Sequence, residues 1–319
     1  MTTELTPRTY PKAVSRIRAS RGYFGFSGRF LEEQMFFMIR YILILTATAL
    51  CSSNSRCGEV YVERDSSGRP VALVHNGPSA EMVRFLNNRE NEPFQGVETV
   101  RLLQHHVDAD EIESLSKLKS LRNLELGDYP DEFKIAREAL VKIGDLTTIE
   151  HLSVFATGKE DNFDWLDALP ALRSLTLSSD HLYSKDIFQR IGRLRKLESL
   201  SIRCSFPVED FEWLSALTHL KYFDIHAKGI STDFSAFANL NKLESLTISG
   251  QAFSNGQVQA ISKHVGKSLE FLSIYVDGDC TIESLSGFFN LNKLVVQYVD
   301  AADRRQRIVD TNLVLSQQP

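Results

Sequence analysis

The chain has 319 residues, of which 43% are hydrophobic and 24% charged, with 17 Gly and 9 Pro, so a disordered or collagen-like protein is excluded. Its formal net charge of −5 is too small to indicate a nucleic-acid or membrane partner by itself. The four cysteines show no CxxC spacing, which argues against a zinc knuckle or a thioredoxin-type motif.

The amino-terminal segment differs in kind from the rest of the chain. Residues 1–34 are basic and show no apolar period, so we expect a non-structural extension there. Residues 35–58 contain an apolar run followed by an Ala-x-Ala pattern at 47–49, an order that is typical of a secretory signal peptide. We therefore expect a biological start at Met35 or Met38 and a protein exported to the periplasm, the medium or the cell surface.

A membrane anchor through residues 35–50 is the alternative to a cleaved signal. The apolar run from Ile39 to Leu50 is short for a bilayer, which needs about 20 apolar residues, and Arg40 interrupts it. A cleaved signal is therefore favoured, and contact with a membrane is expected only if this segment is not cleaved.

Residues 59–93 predict an N-terminal cap made of a hairpin and a short helix. Two β-rich runs, at 60–62 and 71–74, are separated by turn-forming residues at 65–70, and residues 80–88 then offer one helix.

A repeat occupies residues 94–298. Each copy has an apolar residue, two variable residues, an apolar residue, two variable residues and then an apolar-x-apolar pair, as in the run from Leu118 to Leu126. The first apolar residue of that pair stands at nine positions with a mean step of about 24 residues: Val100, Leu124, Leu152, Leu175, Leu200, Phe223, Leu246, Leu272 and Leu294.

This repeat resembles the leucine-rich repeat family, in particular its exported bacterial members. The resemblance implies an α/β solenoid, a leucine-rich repeat horseshoe of about nine units, with short parallel strands on the concave face and helices or irregular turns on the convex face. Helical patterns at 185–194 and 233–240 suit the convex layer. The Asn or Cys usual after the strand is replaced by other residues, Gln251 among them, so we expect looser turns.

Residues 299–319 turn polar and predict a C-terminal cap and tail. The charge is divided unevenly along the chain. The first 58 residues hold eight basic and three acidic residues, and the remainder holds 28 basic and 38 acidic residues. Because the repeat region is acidic, nucleic acid is a poor candidate partner.

The concave face carries the candidate binding residues. Residues on either side of the buried apolar pair face solvent, because side chains alternate along a strand. The central column of these positions is mostly Ser and Thr, and larger side chains define a candidate binding site at Arg203, Tyr222, Asp224, His226, Phe271 and Tyr275. We expect Phe271 and Tyr275 to be exposed aromatics. The alternative is an ordinary surface ion pair between Arg203 and Asp224.

No catalytic motif occurs, and we expect no enzymatic activity, no metal site and no cofactor. The pair Asp224 and His226 is the one candidate for acid–base chemistry, and we expect its members on opposite faces of a strand, which argues against that role. Cys204 and Cys280 stand in distant repeats, so both are expected to be free and at least partly buried. The sequence thus favours a protein-binding module, with a membrane-anchored structural or envelope-associated protein as the alternative.

Overall fold

A computed structural model describes residues 60–88, 94, 96–103, 106–127, 134–155, 163–178, 186–231, 233–277, 282–299 and 308–309. The expected extension, signal segment and start site lie outside these residues, as does most of the expected C-terminal tail. Within the described part of the chain, no helix is long and apolar enough to span a bilayer.

The strands are β1 (Val60–Arg64), β2 (Pro70–His75), β3 (Thr99–Leu102), β4 (His106–Val107), β5 (Asn123–Leu126), β6 (Lys134–Ile135), β7 (His151–Phe155), β8 (Ser174–Ser178), β9 (Ser199–Arg203), β10 (Tyr222–His226), β11 (Ser245–Phe253), β12 (Phe271–Asp277), β13 (Lys293–Val299) and β14 (Ile308–Val309). Twelve of them form one sheet in the order β1-β2-β3-β5-β7-β8-β9-β10-β11-β12-β13-β14, and β4 pairs with β6. Pairing is parallel from β2 to β13, and the terminal strands β1 and β14 are antiparallel to their neighbours.

The predicted register of the repeat is confirmed. Each of the nine apolar positions pairs with the next in the parallel sheet, from Val100 with Leu124 to Leu272 with Leu294. The same column extends one strand upstream, because Leu73 of β2 pairs with Val100. The chain therefore folds as a leucine-rich repeat solenoid, with one strand before the nine predicted copies.

Helices lie between the strands. The α-helices are α1 (Ser79–Asn87), α2 (Ala109–Leu115), α3 (Arg137–Ile143), α4 (Asp186–Ile191) and α5 (Asn255–Val265), and 3₁₀-helices span Asp164–Ala168, Glu212–Ala216, Ser235–Asn239 and Ile282–Leu285. Side chains start several of them: Asp108 accepts the N–H of Glu111 at 3.0 Å, and Asp233 accepts that of Ser235 at 2.8 Å. The tighter 3₁₀ form suits the short convex segments of the middle repeats.

The interior of the middle repeats is held by an aromatic cluster, which consists of Phe188, Phe206, Phe211, Trp213, Phe223, Phe234, Phe237 and Phe253. Neighbouring rings in this cluster have centroids 4.9–6.4 Å apart. Phe211 alone contacts four other rings, so it joins the turns of successive repeats. Aromatic pairs at these distances add to the free energy of burial.

The interior of the first repeats contains a polar pair instead. His75 pairs in register with Leu102 and therefore points inward, where its Nδ1 lies 3.0 Å from Oε1 of Glu111. Both side chains are fully buried. A hydrogen-bonded pair of this kind is costly to break, because either partner would be left alone in an apolar interior.

In one turn, a glutamine side chain links two successive repeats in the place where the family usually has Asn or Cys. The Gln251 amide accepts the N–H of Ile230 at 2.9 Å and donates to its carbonyl at 3.1 Å, so it ties one turn to the preceding one. The preceding residue, Gly250, has φ of 107°, and a Cβ there would lie 1.8 Å from the carbonyl oxygen of Ala227. Only glycine suits this approach.

Candidate functional site

The concave face consists of columns of side chains that run across the parallel strands. Its central column is set by the register and holds Arg101, Glu125, Ser153, Thr176, Ser201, Asp224, Thr247, Ser273 and Val295. Small hydroxyl side chains fill most of this column. The large or charged residues are therefore the ones that could make specific contacts with a partner.

The structure brings four of the six predicted site residues together on β9 and β10. Arg203 pairs with His226, and Asp224 lies between Tyr222 and His226 on the same strand. The expected placement of Asp224 and His226 on opposite faces was wrong. Residues two apart on a strand share a face, and both side chains point away from the buried Phe223 and Ile225.

Hydrogen bonds to the adjacent strands orient these side chains. The Ser201 hydroxyl donates to Oδ2 of Asp224 at 3.2 Å, and Nδ1 of His226 lies 2.9 Å from the hydroxyl oxygen of Ser249. The Tyr222 hydroxyl donates to Oε2 of Glu244 at 3.3 Å. Asp224 is thus held by a residue of β9, His226 by a residue of β11, and Tyr222 by the residue that immediately precedes β11.

Burial dominates the electrostatics of Asp224. It raises the pKa of this carboxyl from 3.8 to about 6, although the hydrogen bond from Ser201 and the positive charge of Arg203 both act to lower it. Arg203 acts on the carboxylate through its charge and is the weakest of these three influences. The carboxylate is therefore ionised at neutral pH but poorly compensated.

The remaining two predicted residues do not join this group. Phe271 is only 1% exposed, so the prediction of an exposed aromatic at this position was wrong. Nζ of Lys293 lies 5.7 Å from the Phe271 ring centre, within the range of a cation–π contact. Tyr275 is partly exposed, but it pairs with Ala252 because β11 is irregular after Ile248. Both residues lie two strands beyond Tyr222.

A second charged group, missed in the sequence, lies at the start of the central column. Nε of Arg101 lies 2.9 Å from Oε2 of Glu125, and its Nη1 lies 3.1 Å from Oε1 of Glu63. Arg101 is only 8% exposed. Burial raises the pKa of Glu125, and the charge of Arg101 opposes that rise. The alignment of Arg101 with Glu125 could have been found from the repeat, whereas Glu63 comes from the hairpin.

A ladder of ion pairs runs along the amino-end rim, the row of residues that immediately precede the strands. Arg122 pairs with Glu150, Arg173 with both Glu150 (3.6 Å) and Glu198 (2.6 Å), and Lys221 with Glu198 (2.8 Å). The alternation ends at Glu244 and Glu270, two acidic residues in succession. Charges of opposite sign alternate from one repeat to the next at the same position of the motif, and this alternation could have identified the ladder from the sequence.

The described residues contain no group of three or more His, Cys, Asp or Glu side chains placed to hold a metal ion. Cys204 is free and buried, as predicted, and burial raises the pKa of its thiol to about 11. It is therefore protonated and unreactive at neutral pH. Cys280 lies outside the described residues.

Comparisons with known proteins assign no family to this chain. No family model matches the sequence, and no curated protein matches it. Among solved structures, the chain is similar to internalin C2 of Listeria monocytogenes, with a TM-score of 0.46 and 18% sequence identity, over 64% of this chain and 82% of that one. The assignment to the leucine-rich repeat class rests on the register of this chain's own strands.

Proposed function

We propose that the solenoid is a non-enzymatic module that binds another protein through its concave face, with Arg203, Tyr222, Asp224 and His226 at the centre of the contact. The observation that carries this proposal is their placement on two adjacent strands within a face of small hydroxyls. Tyr and Arg dominate many interfaces because they contribute large contact areas with few rotatable bonds or several donors. The surrounding Ser and Thr residues allow a partner surface to approach closely. Tyr275 and the buried Phe271 would then lie toward one side of the contact, two strands away.

The geometry of the group supports binding over catalysis. His226 and Ser249 form a close pair, but a serine nucleophile also needs donors for an oxyanion. The backbone N–H groups nearby are engaged in the parallel ladder that links β9, β10 and β11. The paired backbone donors of β9 and β10 are therefore occupied and do not form an oxyanion hole for Ser249.

The acidic repeat region supports a protein partner over nucleic acid. Residues 59–319, which include the repeats, hold 38 acidic and 28 basic residues, and phosphate backbones are attracted by the opposite balance. Export of the protein is supported by the signal-like residues 35–58, and in the alternative function the same segment anchors an envelope-associated protein. Membrane fractionation separates the two, because an anchored chain sediments with membranes after a salt wash and a cleaved one stays in the soluble fraction.

The concave-face proposal is tested with the full chain and a partner isolated from the native source. Tyr222→Ala combined with Arg203→Ala should weaken binding at least about tenfold, since interface hot spots lose this much on truncation. Phe289→Ala is the matched control, because Phe289 is 66% exposed and precedes β13 outside the concave columns. Equal affinities for the wild type and the double variant would overturn the proposal.

A further inference from the structure

The central column contains two carboxylates whose surroundings differ. Glu125 is matched by the guanidinium of Arg101 at 2.9 Å within the same chain. Asp224 has one hydrogen bond, from Ser201, and no Lys or Arg of the described residues lies within ion-pair distance of it. The fold itself therefore compensates one carboxylate of this column and leaves the other with a hydroxyl.

The charged and titratable neighbours of Asp224 contact other residues or lie in the flanking columns. The Tyr222 hydroxyl donates to Glu244, and His226 lies against Ser249. On β9, Arg203 lies opposite His226 in the flanking column. Glu198 and Lys221, at the amino-end rim, are paired with one another at 2.8 Å. Arg203 acts on the carboxylate only through its charge, and none of these contacts places a cation of the described residues within ion-pair distance of Asp224.

The shape of the face leaves access to Asp224 across the strands. Along β10 it is flanked by the large side chains of Tyr222 and His226, but in the central column its neighbours are Ser201 and Thr247. Parallel strands lie about 4.8 Å apart, so the hydroxyls from Ser153 to Ser273 form a narrow floor about 24 Å long, with Asp224 within it. Asp224 is partly exposed at this floor.

We infer that this floor receives an extended segment of the partner protein that places one Lys or Arg side chain against the Asp224 carboxylate. The inference rests on the proposed function and adds the chemistry of the partner. A basic group would form charge-assisted hydrogen bonds of about 2.7–2.9 Å with the carboxylate. An acidic or purely apolar segment would leave a poorly solvated charge at the interface, which disfavours it.

The raised pKa of Asp224 agrees with this chemistry. Burial makes the ionised form costly, and a cation brought by the partner would offset that cost and lower the pKa again. The hydroxyls of Ser201 and Thr247 supply neutral hydrogen-bonding groups on both sides. They can accept or donate to the backbone of an extended segment, which makes the floor tolerant of the neighbouring partner residues.

The test uses a random heptapeptide library displayed on phage and selected on the immobilised full chain. The selected peptides should be enriched in Lys or Arg at a single position relative to the unselected library. Their synthetic forms should bind Asp224→Asn about tenfold to a hundredfold more weakly than the wild type, because a charge-assisted bond is lost. Glu198→Gln is the control, since it removes an acidic charge at the rim and should leave peptide affinity unchanged.

Three outcomes would overturn the inference. They are selected peptides without a basic position, selected peptides that bind Asp224→Asn as tightly as the wild type, and a library from which nothing is selected on the folded chain. Thermal unfolding of Asp224→Asn checks that the variant is folded. The proposed function is judged separately, by the effect of the Tyr222 and Arg203 substitutions on the native partner, so the failure of one is distinguishable from the failure of the other.

Discussion

Glu125 and Asp224 occupy the same column of the concave face, four strands apart, yet the chain surrounds them differently. Glu125 shares Arg101 with Glu63 of the terminal hairpin, so three charged side chains close the first part of the column. Asp224 stands among hydroxyls in the middle repeats. The first region, around Glu125, pairs its charged side chains with one another. The middle region, around Asp224, retains a carboxylate that a cation from outside the chain could pair with.

The same two regions differ in their interiors. The first repeats have the α-helices α2 and α3 on the convex side and bury His75 against Glu111. The middle repeats use 3₁₀-helices at Glu212–Ala216 and Ser235–Asn239, and they pack the aromatic cluster beneath them. The interior of the first region thus contains a specific polar contact. The interior of the middle region contains aromatic contacts, which support the face that carries the candidate site.

The largest expected effect comes from the aromatic cluster. Phe211→Ala removes a ring that contacts four others and should lower the free energy of unfolding by about 3–5 kcal/mol. Urea unfolding measures this change, with Phe289→Ala as the control because its side chain is largely exposed. Similar losses for the two variants would show that the cluster does not support the middle repeats.

The second effect tests whether the first region depends on its internal charge pairing. Arg101→Met leaves Glu63 and Glu125 without their shared cation and should cost about 2–3 kcal/mol, less than for fully buried pairs because both carboxylates are partly exposed. Adding Glu125→Gln should recover part of this loss, since it removes one uncompensated charge. A double variant as unstable as Arg101→Met in urea unfolding would contradict the explanation.

The sequence predicted some features of these regions and not others. The alternation of apolar residues predicted the register from Val100 to Leu294, because burial of one strand face determines which residues point inward. The contact of Arg101 with Glu63 could not be predicted, since it depends on how an antiparallel hairpin joins a parallel sheet. The burial of Phe271 and the displaced pairing of Tyr275 were missed because a repeat position does not reveal what covers it or where a strand is irregular.

The third prediction concerns the middle region, where a substitution should raise the free energy of unfolding instead of lowering it. The folded-state pKa of Asp224 is raised from 3.8 to about 6, so the folded chain binds more protons than the unfolded chain between these values. Stability due to this group is therefore lost as the pH rises through that window. Asp224→Asn should be about 1–2 kcal/mol more stable than the wild type at pH 7, allowing for partial exposure.

The difference between Asp224→Asn and the wild type should vanish near pH 3, where the carboxyl is protonated in both states. Urea unfolding at pH 3, 5 and 7 measures this trend. An Asn variant less stable than the wild type at pH 7 would show that the carboxylate already has a compensating partner within the chain. It would also remove the contrast between Asp224 and Glu125.

The smallest effect concerns the amino-end rim, which runs past both regions. The hydrogen bond from Lys221 is the main cause that lowers the pKa of Glu198, and Arg173 adds to it. Because this carboxylate is about one-third exposed, Glu198→Gln should cost only about 0.5–1 kcal/mol at pH 7, and 1 M salt should reduce the cost. Glu270→Gln is the matched control, since Glu270 follows Glu244 where the alternation ends, and it should be nearly neutral. Equal, salt-independent losses for both variants in urea unfolding would show that the alternation of charges along the rim adds no stability.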